Sequence, residues 1–251
     1  MNKKERLFDM YERIIGQTLS RMTKILLAPT IPLQYFLDAP GVTHVHCLEA
    51  AYRVLKSDGK ELTASLFELY HTELTGGLYW ADRGWKNINH FYSRPNKQGI
   101  SGWPDATAEC QYYFNKAISF VPRDIAKGMF FFGAALHLVQ DMCVPHHSLG
   151  ILFDGHKEFE TWASQNWSRF PVECGRYLPF SHPAQWIDYN AQQSLPLFSL
   201  VSQKDGCSEE SYEKASKVLI PLTISTTAGF LEFAVKLFDD RRLRNDARDH
   251  C

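Results

Sequence analysis

Apolar residues recur at three- and four-residue steps along most of the chain, and this periodicity is what most restricts the fold. It predicts helices over residues 5–26, 43–56, 61–75, 106–120, 124–143 and 211–240, with another starting near His156. The alternation of apolar and polar residues that marks strands is nearly absent. We therefore predict an all-α fold, a single-domain multi-helix bundle with long ordered loops.

One aromatic passage lacks this period. It opens at Gly76-Gly77 and continues through Trp80, Trp85 and Trp103 without a sustained pattern of either kind. Consecutive glycines mark turns, so we predict an ordered loop here. Long loops in compact domains often carry function.

Composition narrows the classes of partner and compartment. The 251 residues carry 27 Lys+Arg against 28 Asp+Glu, a formal charge of -1, so no overall basic field favours nucleic acid. The six cysteines lack close pairs and are predicted to be free thiols. No secretory signal is recognisable, and no uninterrupted apolar run reaches the roughly 18 residues of a membrane span. We expect a cytoplasmic or cell-associated protein.

The segment from Gly133 to His147 is the most informative stretch. His137 and Asp141 are four residues apart, so a helix places them on one face. They follow the strongly apolar run Met129–Phe132, and buried His and Asp side chains cost free energy unless each has a partner. For this pair alone, a core histidine bonded to its neighbouring carboxylate is the simpler interpretation.

A second pair favours a metal site instead. His156 and Glu160 have the same four-residue spacing, and His147 lies nine positions before His156. Imidazole nitrogens and carboxylate oxygens are the ligands that zinc takes in hydrolytic sites. Asp82 and His90 are candidates to complete a shell around His137 and Asp141. The remaining histidines are predicted to be surface or hydrogen-bonded residues: His46, His71, His146, His182 and His250.

With these motifs the chain, over roughly Thr43 to Asp240, resembles the zinc-dependent phospholipases C of the bacterial type. The resemblance rests on Thr43-His44, Ala81-Asp82, Asn89-His90-Phe91-Tyr92, Leu136-His137-x-x-x-Asp141-x-x-x-Pro145-x-His147, His156-x-x-x-Glu160 and Thr226-Thr-Ala-Gly-Phe. It implies two or three Zn²⁺ ions. One site would use Asp82, His90, His137 and Asp141, and a second would use His147, His156 and Glu160.

The third site of this family would use His44, a bridging Asp141 and an N-terminal Trp. No Trp precedes Trp80, so Asp38 or a carbonyl near Gln34 is the candidate substitute unless processing exposes a new N-terminus. Arg83 and Asn87 stand where the family has aromatic residues that hold choline. A preference for phosphatidylcholine therefore does not transfer.

The resemblance implies a phospholipase C type phosphodiesterase that hydrolyses the glycerol-side phosphoester bond of phospholipids with metal-activated water, assisted by Asp82. Residues 43–251 would form the catalytic domain. Residues 1–42 would form an amphipathic helix and linker able to meet a membrane surface. We expect a monomer, with secretion as the alternative location that the family implies. Two other functions stay open: a single-strand nuclease on the same scaffold, and a catalytically weak zinc-stabilised protein that binds lipid or a partner.

Overall fold

A computed structural model describes residues 42–83, 86, 89–93 and 105–249. Within these ranges the regular secondary-structure elements are all helices. The α-helices are α1 Val42–Ser57, α2 Glu61–Leu69, α3 His71–Asp82, α4 Ala106–Phe120, α5 Ile125–Asp141, α6 Pro145–Leu149, α7 His156–Asn166, α8 Pro183–Ser194 and α9 Glu209–Asp249. Two 3-10 helices follow α7 and α8, at Trp167–Arg169 and Leu195–Leu200. The all-α prediction is confirmed. The predicted helix over residues 5–26 lies outside the described residues, as do Asp38, Trp85, Asn87, Trp103 and His250.

Local sequence signals fix several helix ends. Asp105 and Asp124 precede α4 and α5, and their carboxylates accept hydrogen bonds from Ala108 N at 2.8 Å and Lys127 N at 3.0 Å. These bonds satisfy amide groups that the first helical turn leaves free. After α1 the chain turns at Gly59, whose φ of 72° is the left-handed conformation that glycine adopts without a steric cost.

Helix α5 is the central element of the molecule. Its contacts are most extensive with α3 and α4, while α9 packs on α1. Near the middle of α5, the fully buried Phe132 ring lies 5.3 Å from both Phe67 and Phe230, between centroids. Burying aromatic rings of this size supplies a large part of the stabilisation of a core. The aromatic cluster therefore fixes α5 in position.

The prediction that a loop begins at Gly76-Gly77 is wrong for residues 76–82, which are helical, and most of the later part lies outside the described residues. The chain breaks earlier, at Tyr70, and α3 then continues through both glycines to Asp82. At Gly77 a Cβ atom would lie 1.9 Å from the carbonyl oxygen of Phe130. The glycine thus permits close packing of α3 on α5. Because Trp80 lies within α3, and Asp82 is its last residue, neither belongs to a loop.

Three further features concern helix α8, helix α9 and the cysteines. Helix α8 has no counterpart among the predicted helices. Within Glu209–Phe238 of α9, an 18-residue window has a mean hydropathy of 1.6, so this helix is long and apolar enough to cross a membrane. However, 72% of that window is buried within the molecule, as in a core helix. All cysteines in the described part of the chain are free thiols: Cys47, Cys110, Cys143, Cys174 and Cys207.

Candidate metal centre

Five ligand-type residues from four segments meet at the C-terminal end of α5. His44 is the third residue of α1, Asp82 ends α3, and His90 lies between α3 and α4. His137 and Asp141 occupy the last two turns of α5, where their four-residue spacing points both side chains the same way. The negative end of the helix dipole favours a cation at this place.

The first group of ligand atoms is compact. His137 Nε2 lies 3.1 Å from Asp82 Oδ1 and 3.2 Å from Asp141 Oδ2. His90 Nδ1 lies 3.2 Å from His137 Nε2, 2.9 Å from Asp141 Oδ2 and 3.7 Å from Asp82 Oδ1. Four ligands held at 2.0–2.1 Å around a tetrahedral zinc ion are about 3.3 Å apart. The separations in this group match that geometry.

Asp141 also faces His44 with its second oxygen. Asp141 Oδ1 lies 3.4 Å from His44 Nε2, and the other ring nitrogen, His44 Nδ1, lies 2.7 Å from Gln140 Oε1. Gln140 is itself oriented, because its Nε2 donates to Thr227 Oγ1 at 3.0 Å. The amide oxygen therefore faces His44 and accepts its Nδ1 proton, which leaves Nε2 unprotonated toward Asp141.

A second group lies beyond His90. His156 Nε2 is 3.1 Å from His147 Nε2 and 3.0 Å from Glu160 Oε1, and His147 Nε2 is 3.5 Å from the same oxygen. The two groups are joined through His147 Nδ1, which lies 3.2 Å from the carbonyl oxygen of His90. Three ligands leave a fourth position of a tetrahedral ion open, which is the arrangement of catalytic zinc sites.

The donor atoms fit a divalent cation. Asp141 Oδ2 is buried and has no hydrogen-bond partner among the described residues, although two ring nitrogens lie within 3.2 Å. Short contacts without hydrogen-bond geometry indicate that the lone pairs face a shared point. Three sets of donor atoms, each within 4.8 Å of one another, are placed to hold a metal: His44, Asp82 and His137; His90, His137 and Asp141; His147, His156 and Glu160.

The electrostatics agree with this interpretation. Burial opposes charge on His137, but the carboxylates of Asp141 and Asp82 outweigh it and raise its pKa well above the usual value. Burial likewise opposes charge on Glu160, but the neighbouring His156 outweighs it and lowers the pKa of that carboxyl. The carboxylates are thus held in the charged form, in which they bind a cation.

The other histidines have ordinary partners where the structure describes them. His146 Nε2 lies 3.0 Å from the carbonyl oxygen of Asp154, and burial lowers the pKa of this imidazole to about 4. His46 stacks on Trp167 and His71 lies beside Tyr52. His182 immediately precedes α8, where its backbone N donates to Gln185 Oε1. The prediction that these residues are surface or hydrogen-bonded holds for all four.

Two aromatic residues near the predicted ligands in sequence differ in their relation to the centre. Phe91 stacks on His147 with centroids 4.8 Å apart. Trp80 instead packs on Tyr113 and Phe130, at 5.5 and 5.6 Å between ring centroids, and belongs to the core.

The sequence analysis did not identify Gln140 as part of the site. Its only signal is an amide side chain on an otherwise apolar face of α5.

Comparisons with known proteins agree with this geometry. The family model described as zinc dependent phospholipase C matches residues 43–192. The structure is similar to the alpha toxin of Clostridium absonum, with a TM-score of 0.67 and 18% identity over 77% of this chain and 63% of that one. It is also similar to the alpha-toxin of Clostridium perfringens from avian strain SWCP, with a TM-score of 0.64 and 20% identity over 80% and 65%.

These structural likenesses show a shared fold, and the chain spans just under two thirds of the length of each toxin. A search of curated proteins found no sequence match. The family model covers more than half of the chain, in the same region that contains every donor residue described above. This protein belongs to the zinc-dependent phospholipase C family.

Proposed function

We propose that this protein is a zinc-dependent phosphodiesterase of the phospholipase C type, which hydrolyses the glycerol-side phosphoester bond of phospholipids. The observation that carries the proposal is the convergence of all eight predicted ligand residues on one centre, where His137 is shared by two donor sets and Asp141 lies within 3.4 Å of both His44 and His90. The eight are His44, Asp82, His90, His137, Asp141, His147, His156 and Glu160. Zinc bound there would neutralise phosphate oxygens and lower the pKa of water to about 7.

The two aspartates have different environments and so different proposed roles. The Asp141 side chain is 3% exposed and surrounded by imidazoles, which suits a fixed ligand. The Asp82 side chain is 27% exposed at the end of α3, so it is partly open to water. Burial raises the pKa of Asp82, but the adjacent His137 outweighs this and lowers it, so the group is deprotonated at neutral pH.

Asp82 is therefore the proposed proton acceptor. As the water oxygen bonds to phosphorus, Asp82 takes the water proton, and the bond between phosphorus and the glycerol oxygen breaks. The proton then passes to that glycerol oxygen, giving diacylglycerol and a phosphorylated headgroup. Arg83 follows Asp82 directly and is exposed, so we expect a cationic headgroup to be disfavoured beside it.

The test combines metal content with turnover. Wild type should hydrolyse phospholipid in mixed micelles, lose activity on chelation and regain it with zinc. Asp141→Asn should lose metal and turnover together. Asp82→Asn should lose at least about 100-fold in rate, as removal of a general base does, with part of the metal retained. Glu210→Gln, an exposed residue of α9 paired with Lys214, is the control and should behave as wild type.

Three outcomes would redirect the assignment. An Asp82→Asn protein with full metal and full rate removes the proposed role of that residue. Faster cleavage of single-stranded DNA than of phospholipid points to a nuclease on this scaffold. Bound zinc with no turnover on any phosphodiester favours a non-catalytic protein that binds lipid or a partner.

A further inference from the structure

Two adjacent apolar side chains project from the turn that joins α6 to α7. Phe153 is 82% exposed and Leu152 is 45% exposed. We call residues 150–155 the tip loop. Other large apolar residues with high exposure, such as Leu62 and Leu69 on α2, are separated along their helix. Scattered exposed residues need no explanation, whereas two neighbours at the end of a loop form a small apolar projection.

The backbone of the tip loop is fixed. Gly150, Asp154 and Gly155 all adopt positive φ, at 72°, 76° and 88°. The unusual conformation of Asp154 is supported by two hydrogen bonds to its carboxylate, from Ser202 Oγ at 3.0 Å and Lys204 N at 2.9 Å. A non-glycine residue in this region persists only where its surroundings hold it. The exposure of Leu152 and Phe153 is therefore imposed by the loop.

The tip loop is attached to the metal centre. The carbonyl oxygen of Leu152 lies 3.4 Å from His156 Nδ1, the ring whose other nitrogen faces His147 and Glu160. Ile151 N donates to the carbonyl oxygen of His146 at 3.0 Å, next to His147. Any surface that binds Phe153 would therefore lie close to the second donor group, His147, His156 and Glu160.

Size and charge identify the kind of surface. The charged residues in the tip loop or next to it in sequence or in space come close to balance, with Lys157 and Lys204 against Asp154, Glu158 and Asp205. Attraction by charge is therefore weak. Two side chains also fall far short of the roughly 800 Å² that each partner contributes to a stable protein interface. A lipid surface, in contrast, accepts small apolar side chains into its upper acyl layer.

We propose that Leu152 and Phe153 insert into a phospholipid bilayer and so present the His147, His156 and Glu160 group to the headgroup layer. This inference rests on the proposed phosphodiesterase function. An apolar side chain that enters about 5–10 Å below the headgroup boundary leaves the protein surface beside it at headgroup depth. The phosphate to be cleaved lies at that depth.

The test is sedimentation of the full-length, zinc-loaded protein with phosphatidylcholine vesicles. Changing Leu152 and Phe153 together to alanine should weaken vesicle binding about tenfold or more, because each side chain loses its transfer into lipid. Leu62→Ala removes an even more exposed leucine, 89% exposed on α2, and should bind as wild type. Because the local charges nearly balance, binding should change less than twofold between low and high salt.

A soluble short-chain phospholipid below its micellar concentration separates the two proposals. The double variant should hydrolyse this monomeric substrate at the wild-type rate and long-chain vesicles more slowly. If vesicle binding depends on the tip loop but no phospholipid is cleaved, only the proposed function fails. If phospholipid is cleaved while the double variant binds vesicles as wild type does, the tip loop proposal is overturned. A wild-type dimer that the double variant dissociates would also overturn it.

Discussion

At the residue scale, Gln140 links the metal centre to the core. Its oxygen faces His44 Nδ1 at 2.7 Å and its nitrogen donates to Thr227 on α9. Partners of this kind fix the tautomer and orientation of an imidazole ligand. Residues behind the ligands therefore belong to the site as much as the ligands do.

We predict that Gln140→Leu, which removes the acceptor, weakens zinc binding at His44 by about 10- to 100-fold, the usual effect of losing such a partner. Gln140→Glu keeps an acceptor oxygen and should bind zinc nearly as wild type. Competition with a chromogenic chelator measures both affinities. Equal affinity in the Leu variant and the wild type would show that Gln140 only fills space.

His146 gives a pH prediction. Burial lowers the pKa of this imidazole to about 4, whereas in the unfolded chain it titrates near its usual value of about 6.5. The unfolded chain therefore binds a proton that the folded protein does not, and His146 makes stability fall as pH drops from about 6.5 to about 4. Above pH 7 both states are neutral and the contribution of His146 is constant.

The variant His146→Gln has no such titration and its amide can still donate toward the Asp154 carbonyl. In chelator-treated protein, the difference in urea midpoint between wild type and His146→Gln should be constant above pH 7. As pH falls to 4, the midpoint of the wild type should decrease relative to that of His146→Gln. Groups that titrate alike in the two proteins cancel in the difference. A difference that does not change with pH would contradict the buried neutral state of His146.

How far the sequence predicted the site depends on the kind of contact. Spacing along a helix placed His137 beside Asp141 and His156 beside Glu160, because neighbours four apart share a face. The contacts of Gln140 with His44 and Thr227 join three helices, and no local pattern encodes them. The assignment of all eight residues as zinc ligands stays a prediction.

At the element scale, α3 and α5 approach each other closely through facing glycines. A Cβ atom at Gly133 would lie 2.2 Å from the carbonyl oxygen of Leu74, as one at Gly77 would meet Phe130. These two helices carry Asp82, His137 and Asp141. The distance between the backbones thus determines the distance between the donor atoms at their ends.

We predict that Gly77→Ala destabilises the protein by about 1–3 kcal/mol, the cost of overpacking a core, and reduces metal affinity by displacing Asp82 from His137. Gly76→Ala is the matched control. A Cβ there would make an ordinary 3.5 Å contact with the Phe130 ring, so the gain in helix propensity should make it neutral or stabilising. Urea unfolding and zinc titration of the pair measure both effects, and equal results would contradict the close-approach explanation.

The glycine pair also explains why the predicted loop was wrong. Two consecutive glycines are typical of a turn. Here they lie within a helix because α3 packs closely on α5, a contact that the local sequence does not show. The break at Tyr70 within the predicted helix 61–75 was likewise not visible in the apolar period. Helices α4 and α5, which begin at capping aspartates, were predicted within two residues of their ends.

At the scale of the whole molecule, the candidate metal centre and the aromatic cluster are separate parts of the structure. Burial of rings around Phe132 requires no metal, whereas the donor groups place like charges and unpaired lone pairs together. The fold class was therefore predictable from periodicity alone. The arrangement of the helices around α5 was not, because it depends on which rings interlock.

We predict that chelation lowers the melting temperature without loss of helical circular dichroism at 25 °C. Zinc at 100 times its dissociation constant stabilises the folded state by about 2.7 kcal/mol per site. For a chain of this size that is roughly 5–10 °C per site. Zinc return should restore the melting temperature in wild type and much less in Asp141→Asn. An unfolded metal-free protein would contradict the separation of core and centre.

The middle and the C-terminal end of α5 have different roles. Phe132 and its neighbours are held by shape and volume, and a change there is tolerated when another side chain fills the same space. His137 and Asp141 are held by the chemistry of their donor atoms, which few other residues reproduce. A lineage built on such a helix can therefore exchange most of its interior over time while its reactive end stays the same. It can also acquire a new substrate at the rim without having to find a new fold.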